Sequence, residues 1–166
     1  MLGRLISCRH MKPEIGNQAP TFSARAVGGA YGDGAEVNSS ELAGKPIVLV
    51  FYPRDNTPGC TKQACAMRDN WSQLDGLAHV FGISADDELS HKKFIEKQSL
   101  PYPLLVDVER EIIDAYAVWK EKSMYGKKFW GIERSTFIID ADGKLTHEFR
   151  KVSPAKHLDL ILEALK

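Results

Sequence analysis

The chain has 166 residues, with 22 Lys plus Arg balanced by 22 Asp plus Glu, so its formal charge is zero. That length suits one domain, and the charge balance gives no long-range field favouring nucleic acid or an anionic membrane. With 43% hydrophobic and 27% charged residues, a packed globular core is expected rather than a disordered or fibrous chain.

Residues 1–10, MLGRLISCRH, are basic, but the apolar piece between Arg4 and Arg9 is too short for a secretory signal. Met11 opens an alternative start, MKPEIG. Residues 1–10, with Cys8, are therefore set apart as an extension or expression remnant, and residues 11–166 are taken as the domain. KPIVLVFYP, Lys45 to Pro53, is a continuous apolar run between prolines, the pattern of a central strand covered on both faces. Its unbroken part, Ile47 to Tyr52, is six residues long, against the roughly 20 needed to cross a bilayer. No membrane span is expected. From Cys60, positions Ala64, Met67, Trp71 and Leu74 follow at steps of four, three, four and three, one face of a helix. His79 to Ser84 reads as a second strand, Asp86 to Gln98 and Glu109 to Val118 as shorter helices, and Ser135 to Asp140 as a third strand. Asp142-Gly143 signals a hairpin leading into Lys144 to Val152. Pro154 to Lys166 sets Leu158, Ile161, Leu162 and Leu165 at helical spacing. Alternating strands and helices finished by a hairpin and a helix imply an α/β fold with a mixed sheet, compatible with a thioredoxin-like fold.

The segment Phe51 to Cys65, FYPRDNTPGCTKQAC, runs from the end of the central strand into a helix, where open α/β sheets place their sites. Thr57 suits the N-cap, Pro58 the first helical position, and Gly59 lets a ligand approach the backbone. Cys60 then falls near the third helical position, where free amides and the helix dipole favour a thiolate. Lowering a thiol pKa from about 8.5 to about 6 raises the thiolate fraction at pH 7 about 30-fold. Faster chemistry needs donors aimed at an oxygen that gains charge, such as first-turn amides, the Thr57 hydroxyl or an arginine. The bland alternative for Cys60 is a small buried hydrophobe, and for Pro53 a strand stop.

Cys65 follows Cys60 by five residues. In an intact helix this spacing rotates the pair by about 140° and parts the Cα atoms by about 8 to 9 Å, whereas a disulfide needs less than about 7 Å. The pair can join only if the first turns unwind; otherwise Cys65 is a buried neighbour. Zinc or iron–sulfur binding would need further paired ligands. The histidines at 10, 79, 91, 147 and 157 lack such spacing and read as surface or packing residues.

Pro53, Thr57 and Cys60 form P-x-x-x-T-x-x-C, which closely resembles the active-site motif of the peroxiredoxins, thiol peroxidases of thioredoxin-like fold. The C-x4-C continuation to Cys65 resembles the Q type, the bacterioferritin comigratory proteins. IGNQAPTFS, KPIVLVFYP and GIERSTFIID are similar to successive family segments in the same order. The resemblance implies a peroxidatic Cys60, a resolving Cys65 that closes an intramolecular disulfide, a Thr57 hydroxyl that orients the peroxide, and a Pro53 that shields the pocket. It assigns Arg134, otherwise a surface cation entering a strand, to holding the thiolate and substrate oxygen. Gly59 joins the substrate-binding set. No metal, haem or flavin cofactor is implied; hydrogen peroxide or an organic hydroperoxide is the substrate, and thioredoxin or a similar dithiol the reductant. The resemblance implies a monomer, and a reducing, cytoplasmic setting is expected because three cysteines are too few for a disulfide-stapled secreted domain. Two other functions fit the same cysteines: a general thiol–disulfide oxidoreductase and a non-enzymatic, redox-sensing holdase.

Overall fold

The computed structural model describes residues 12–166, so residues 1–11, with Cys8 and His10, lie outside the described residues. Its organising element is β3, Ile47–Phe51, whose five residues are all buried. It pairs in parallel with β4, His79–Ser84, and antiparallel with β8, Ser135–Ile139. Around them are β1 (Ser23–Val27), β2 (Ala35–Asn38), β5 (Leu104–Val106) and β9 (Leu145–Phe149). The seven strands run in the order β2-β1-β5-β4-β3-β8-β9. The expected mixed sheet is therefore present, with parallel pairing confined to β3, β4 and β5.

Because side chains alternate across a strand, β3 feeds two cores. Leu49 and Phe51 join Phe81, Ile113, Tyr116 and Phe137 beneath α3, Glu111–Ala115. Val48 and Val50 face the other way. There they meet Met67 of α1 (Pro58–Asp69), Phe94 of α2 (Glu88–Gln98) and Ile161 of α4 (His157–Ala164). This second layer holds Cys60.

Most expected elements appear, with corrected ends. The helix begun at Cys60 does not continue to Leu74. It stops at Asp69, where the Asn70 side chain takes the Ala66 carbonyl at 2.8 Å, and Trp71–Gln73 forms a 3-10 turn. Asn competes with the backbone for its hydrogen bonds and so ends helices. Leu74 is still fully buried, and Trp71 packs its ring 5.8 Å from that of Tyr102. α2 starts later than Asp86 because the Asp87 side chain caps it through the Ser90 amide at 2.8 Å. α3 is shorter than Glu109 to Val118: Arg110 at its start and Ala117 beyond its end take positive φ. The Asp142-Gly143 hairpin forms as read, with Gly143 at φ +85 and its amide bonded to the Asp140 carbonyl at 3.0 Å. Not legible in the sequence are β1, the shorter β2 and β5, and a separate antiparallel ribbon of β6 (Trp119–Met124) and β7 (Lys127–Ile132). That ribbon carries lysines on largely exposed strands, so it shows no buried-strand pattern.

α4 docks through His157, which is buried and lies 2.6 Å from the Thr136 hydroxyl by its Nε2. Among the described residues no helix is long and apolar enough to cross a membrane.

Two stability outcomes follow from this packing. A Cβ at Gly82 of β4 would stand 2.5 Å from the Leu104 side chain and 3.2 Å from the Tyr52 ring. Gly82→Ala should destabilise the fold by about 1–3 kcal/mol, read as a lower urea midpoint with an unchanged slope. Burial, aided by the charge of Arg134, pushes His157 down to about 3. Below about pH 6.5 the unfolded chain therefore takes up a proton that the folded chain refuses, and stability falls by up to about 1.4 kcal/mol per pH unit as pH drops towards 3. His157→Gln should flatten this acid limb in urea titrations run from pH 7 to pH 4; an unchanged slope would show that His157 does not set it.

Candidate active site

Cys60 is the third residue of α1, following Pro58 and Gly59. Proline is favoured here because the first helical N–H has no intrahelical partner. The Thr57 backbone is extended, as an N-cap requires, and its carbonyl accepts the first helical bond from Thr61 at 2.8 Å. Its side chain does not cap the helix, contrary to the sequence expectation. The hydroxyl donates instead to the Arg54 carbonyl at 2.8 Å. A hydroxyl has a single proton to donate, so in this arrangement it is committed to the loop. The first-turn amides of Gly59 and Cys60 thus have no side-chain cap and point their positive ends toward the start of the helix.

The Cys60 side chain is buried, at 2% exposure. Arg134, in the short connection between β7 and β8, reaches it: Nη2 donates to Sγ at 3.3 Å. The backbone that carries Arg134 is held by the Val152 amide, which donates to its carbonyl at 3.0 Å. Nη1 of Arg134 donates to Oε1 of Gln63, also buried at 2%. Gln63 and Cys60 are three residues apart on α1 and so share a face. One guanidinium bridges both.

Gly59 also has a structural use that its sequence position does not reveal. A Cβ there would stand 3.2 Å from Arg134 Nη2 and 3.6 Å from Pro154. The glycine makes room for the guanidinium over the helix start. Pro53, half-buried, stands at the head of the same loop, just after β3. The fold thus gathers Gly59, Cys60 and Arg134 directly and sets Thr57 and Pro53 on the loop leading to them.

Cys65 is elsewhere. Both cysteines are free thiols on the intact helix. Cys65 is half-buried and its thiol donates to Oε1 of Gln98, at the end of α2, at 3.4 Å. Arg68, one turn further, donates to the Gln98 carbonyl at 2.7 Å. Tyr102 stands near both cysteines, and burial raises its phenol pKa so that it stays protonated.

Sequence reading missed Gln63, Tyr102 and Lys122. Only Gln63 left a signal there, its i+3 spacing from Cys60. Gln63, Tyr52 and Tyr102 line a void of about 10 Å³ behind the Cys60 side chain, about the least that accepts one water. The Gln63 Nε2 is buried without a protein partner. On the outer side of Arg134 an open cleft of about 350 Å³ is lined by Lys120, Lys122, Glu133 and Val152. Burial, then the Arg134 charge, lowers the Lys122 pKa. Among the described residues no three His, Cys, Asp or Glu side chains gather as a metal site.

A buried thiol at a helix start under a guanidinium can hold negative charge on sulfur and offer N–H donors to an oxygen bound beside it. Comparison with known proteins agrees with that chemistry. The model of the AhpC/TSA family matches residues 15–148. Peroxiredoxin Bcp of Bacillus subtilis (strain 168) is 45% identical over 159 residues, covering 94% of this chain and 97% of that protein. Peroxiredoxin Bcp of Escherichia coli K12 is 40% identical, covering 92% and 96%. Among solved structures, the bacterioferritin comigratory protein of Xanthomonas campestris, described in terms of its alkyl peroxide reduction activity, superposes with a TM-score of 0.81 at 34% identity over 92% of this chain and 97% of that one. A PrxQ cysteine mutant of Xylella fastidiosa gives 0.84 at 29% identity, covering 93% and 96%. The chain therefore belongs to the AhpC/TSA family, as a peroxiredoxin of the Q, or bacterioferritin comigratory protein, type.

Proposed function

We propose that residues 11–166 form a single thioredoxin-like peroxidase domain in which Cys60 is the peroxidatic and Cys65 the resolving cysteine. The observation that carries this reading is the 3.3 Å contact between Arg134 Nη2 and the buried Cys60 Sγ at the start of α1. In the first step the Cys60 thiolate attacks the terminal oxygen of ROOH. An S–O bond forms as the O–O bond breaks, two electrons leave sulfur, and the departing alkoxide takes a proton to give ROH. Arg134 and the first-turn amides stabilise the oxygen that gains charge. The Thr57 hydroxyl joins them by turning from the Arg54 carbonyl to the peroxide, and Pro53 keeps water from the loop side.

In the second step Cys65 sulfur attacks the Cys60 sulfenic acid, forming the disulfide and releasing water. The intact helix opposes this, since five residues of helix hold the Cα atoms about 8 to 9 Å apart, beyond the reach of a disulfide. The first turns of α1 unwind, and Cys65 leaves Gln98. Thioredoxin or a similar dithiol then takes the disulfide by exchange, which returns both thiols and oxidises the donor. Burial of Cys60 favours a small peroxide over a protein disulfide as first substrate, which sets this reading apart from general disulfide exchange. A monomer in a reducing cytoplasm completes the proposal.

Peroxide consumption coupled to thioredoxin and NADPH tests the roles. Cys60→Ser should abolish turnover; retained peroxidase activity would overturn the assignment. Cys65→Ser should give one stoichiometric oxidation and then stop with thioredoxin as reductant, with no Cys60–Cys65 disulfide in peptide mass spectra. Arg134→Gln should keep the fold and lower the second-order rate with hydrogen peroxide by about 100-fold, measured by stopped flow.

A further inference from the structure

The loop between β3 and α1 carries a buried acid, Asp55, that the cycle above does not use. Its carboxylate is 1% exposed and accepts three hydrogen bonds. Tyr52 donates to Oδ1 at 2.5 Å, and Ser90 donates to Oδ2 at 2.8 Å. His91, whose ring is fully buried, places Nδ1 2.8 Å from the same Oδ2. The other ring nitrogen, Nε2, lies 2.9 Å from the Leu105 carbonyl.

A carbonyl oxygen only accepts, so Nε2 carries a hydrogen. The short Nδ1–Oδ2 contact then requires a second proton, shared between imidazole and carboxylate. The two groups together form a unit of zero net charge with every polar atom bonded, the arrangement that a buried ion pair needs. The Asp86 carboxylate accepts from the Asp55 amide at 2.8 Å and from the Ser84 hydroxyl at 2.6 Å, and the buried Tyr102 phenol is a further titratable neighbour.

The position of this unit matters more than its strength. Asp55 lies between Pro53 and Thr57, five residues before Cys60, while Ser90 and His91 sit in the first turn of α2. The far end of α2 holds Cys65 through Gln98. Helix α2 thus grips the chain on both sides of the Cys60–Cys65 segment. With the grip closed, Cys60 stays under Arg134. With it closed, the two sulfurs also stay apart.

We propose that the buried Asp55–His91 pair is a positioning element of the peroxidase cycle: it pins the β3–α1 loop to α2, speeds peroxide attack by fixing Cys60, and restrains the unwinding that joins Cys60 to Cys65. The proposal rests on the roles assigned to the two cysteines. It predicts opposite effects on two successive steps, which loss of a merely structural contact does not produce.

The test is single-turnover stopped flow on the full chain with hydrogen peroxide, following sulfenate formation and disulfide closure separately. It is paired with mass spectrometry of the disulfide-to-sulfinate ratio at fixed peroxide. Asp55→Asn and His91→Gln should slow sulfenate formation about tenfold and quicken closure about tenfold, the size expected for losing a charge-assisted bond. The sulfinate fraction should fall accordingly. Ser90→Ala, which keeps the pair and removes one donor, should shift both rates in the same directions by a smaller factor, and it carries the test if the stronger variants do not fold. A lowered melting temperature with an unchanged ratio of the two rates, or both rates falling together, would overturn the pin. Absence of sulfenate on Cys60 in the unaltered protein would instead reject the cysteine assignment itself.

Discussion

A guanidinium set against a sulfur in a half-dry corner is the contact on which the rest of the site depends. In bulk water two unit charges 4 Å apart attract by only about 1 kcal/mol, but near a protein surface the figure is about 4 kcal/mol. The bond from Arg134 to Cys60 therefore means little unless the fold keeps water out. Burial of Cys60 beside Tyr52, Phe94 and Tyr102 does so on the inner side. Gln63 fixes the guanidinium, Gly59 leaves it space, and the Val152 amide anchors its backbone.

These parts come from distant stretches of the chain, and the sheet brings them together. β3 pairs with β4 on one edge and β8 on the other, so the chain after β3 and the chain before β8 emerge beside one another. α1 starts from the first and Arg134 from the second. The alternation of β3 side chains supplies apolar surface to both layers, and α1, α2 and α4 cover one of them. A one-residue slip in β3 would turn Val48 and Val50 to the opposite face and put the larger Leu49 and Phe51 beneath the helix layer that holds Cys60.

In the proposed cycle two demands on α1 conflict. Attack on a peroxide favours an ordered first turn, with its amides, Arg134 and Cys60 held in register. Formation of the disulfide favours the same turn unwound. In the proposed pin, the contacts of α2 at either side of the segment, Asp55 with His91 and Cys65 with Gln98, act on both demands at once. Such an element sets a balance rather than a maximum.

Much of this was legible in the linear chain. The continuous run Ile47 to Tyr52 gave away the central strand because it is apolar on both faces, and Asp142-Gly143 gave away a hairpin because glycine tolerates positive φ. Thr57-Pro58-Gly59-Cys60 identified a helix start holding a thiol, since those residue types meet local backbone needs that do not depend on the rest of the fold. The exposed β6–β7 ribbon and the three-residue β5 escaped notice because strands that are short or wet leave little periodic pattern. By itself the sequence determined the type of the buried central strands and of the helices, the helix-start thiol and the five-residue spacing of Cys60 and Cys65, all consequences of local chain chemistry. Only the tertiary structure decided that Arg134 meets Cys60, that Gln63 steadies it, that the Thr57 hydroxyl turns to Arg54, and that Asp55 and His91 meet in the buried interior. Those partners lie as many as 74 residues apart in the chain, and no local propensity encodes which side chains a folded sheet will set face to face.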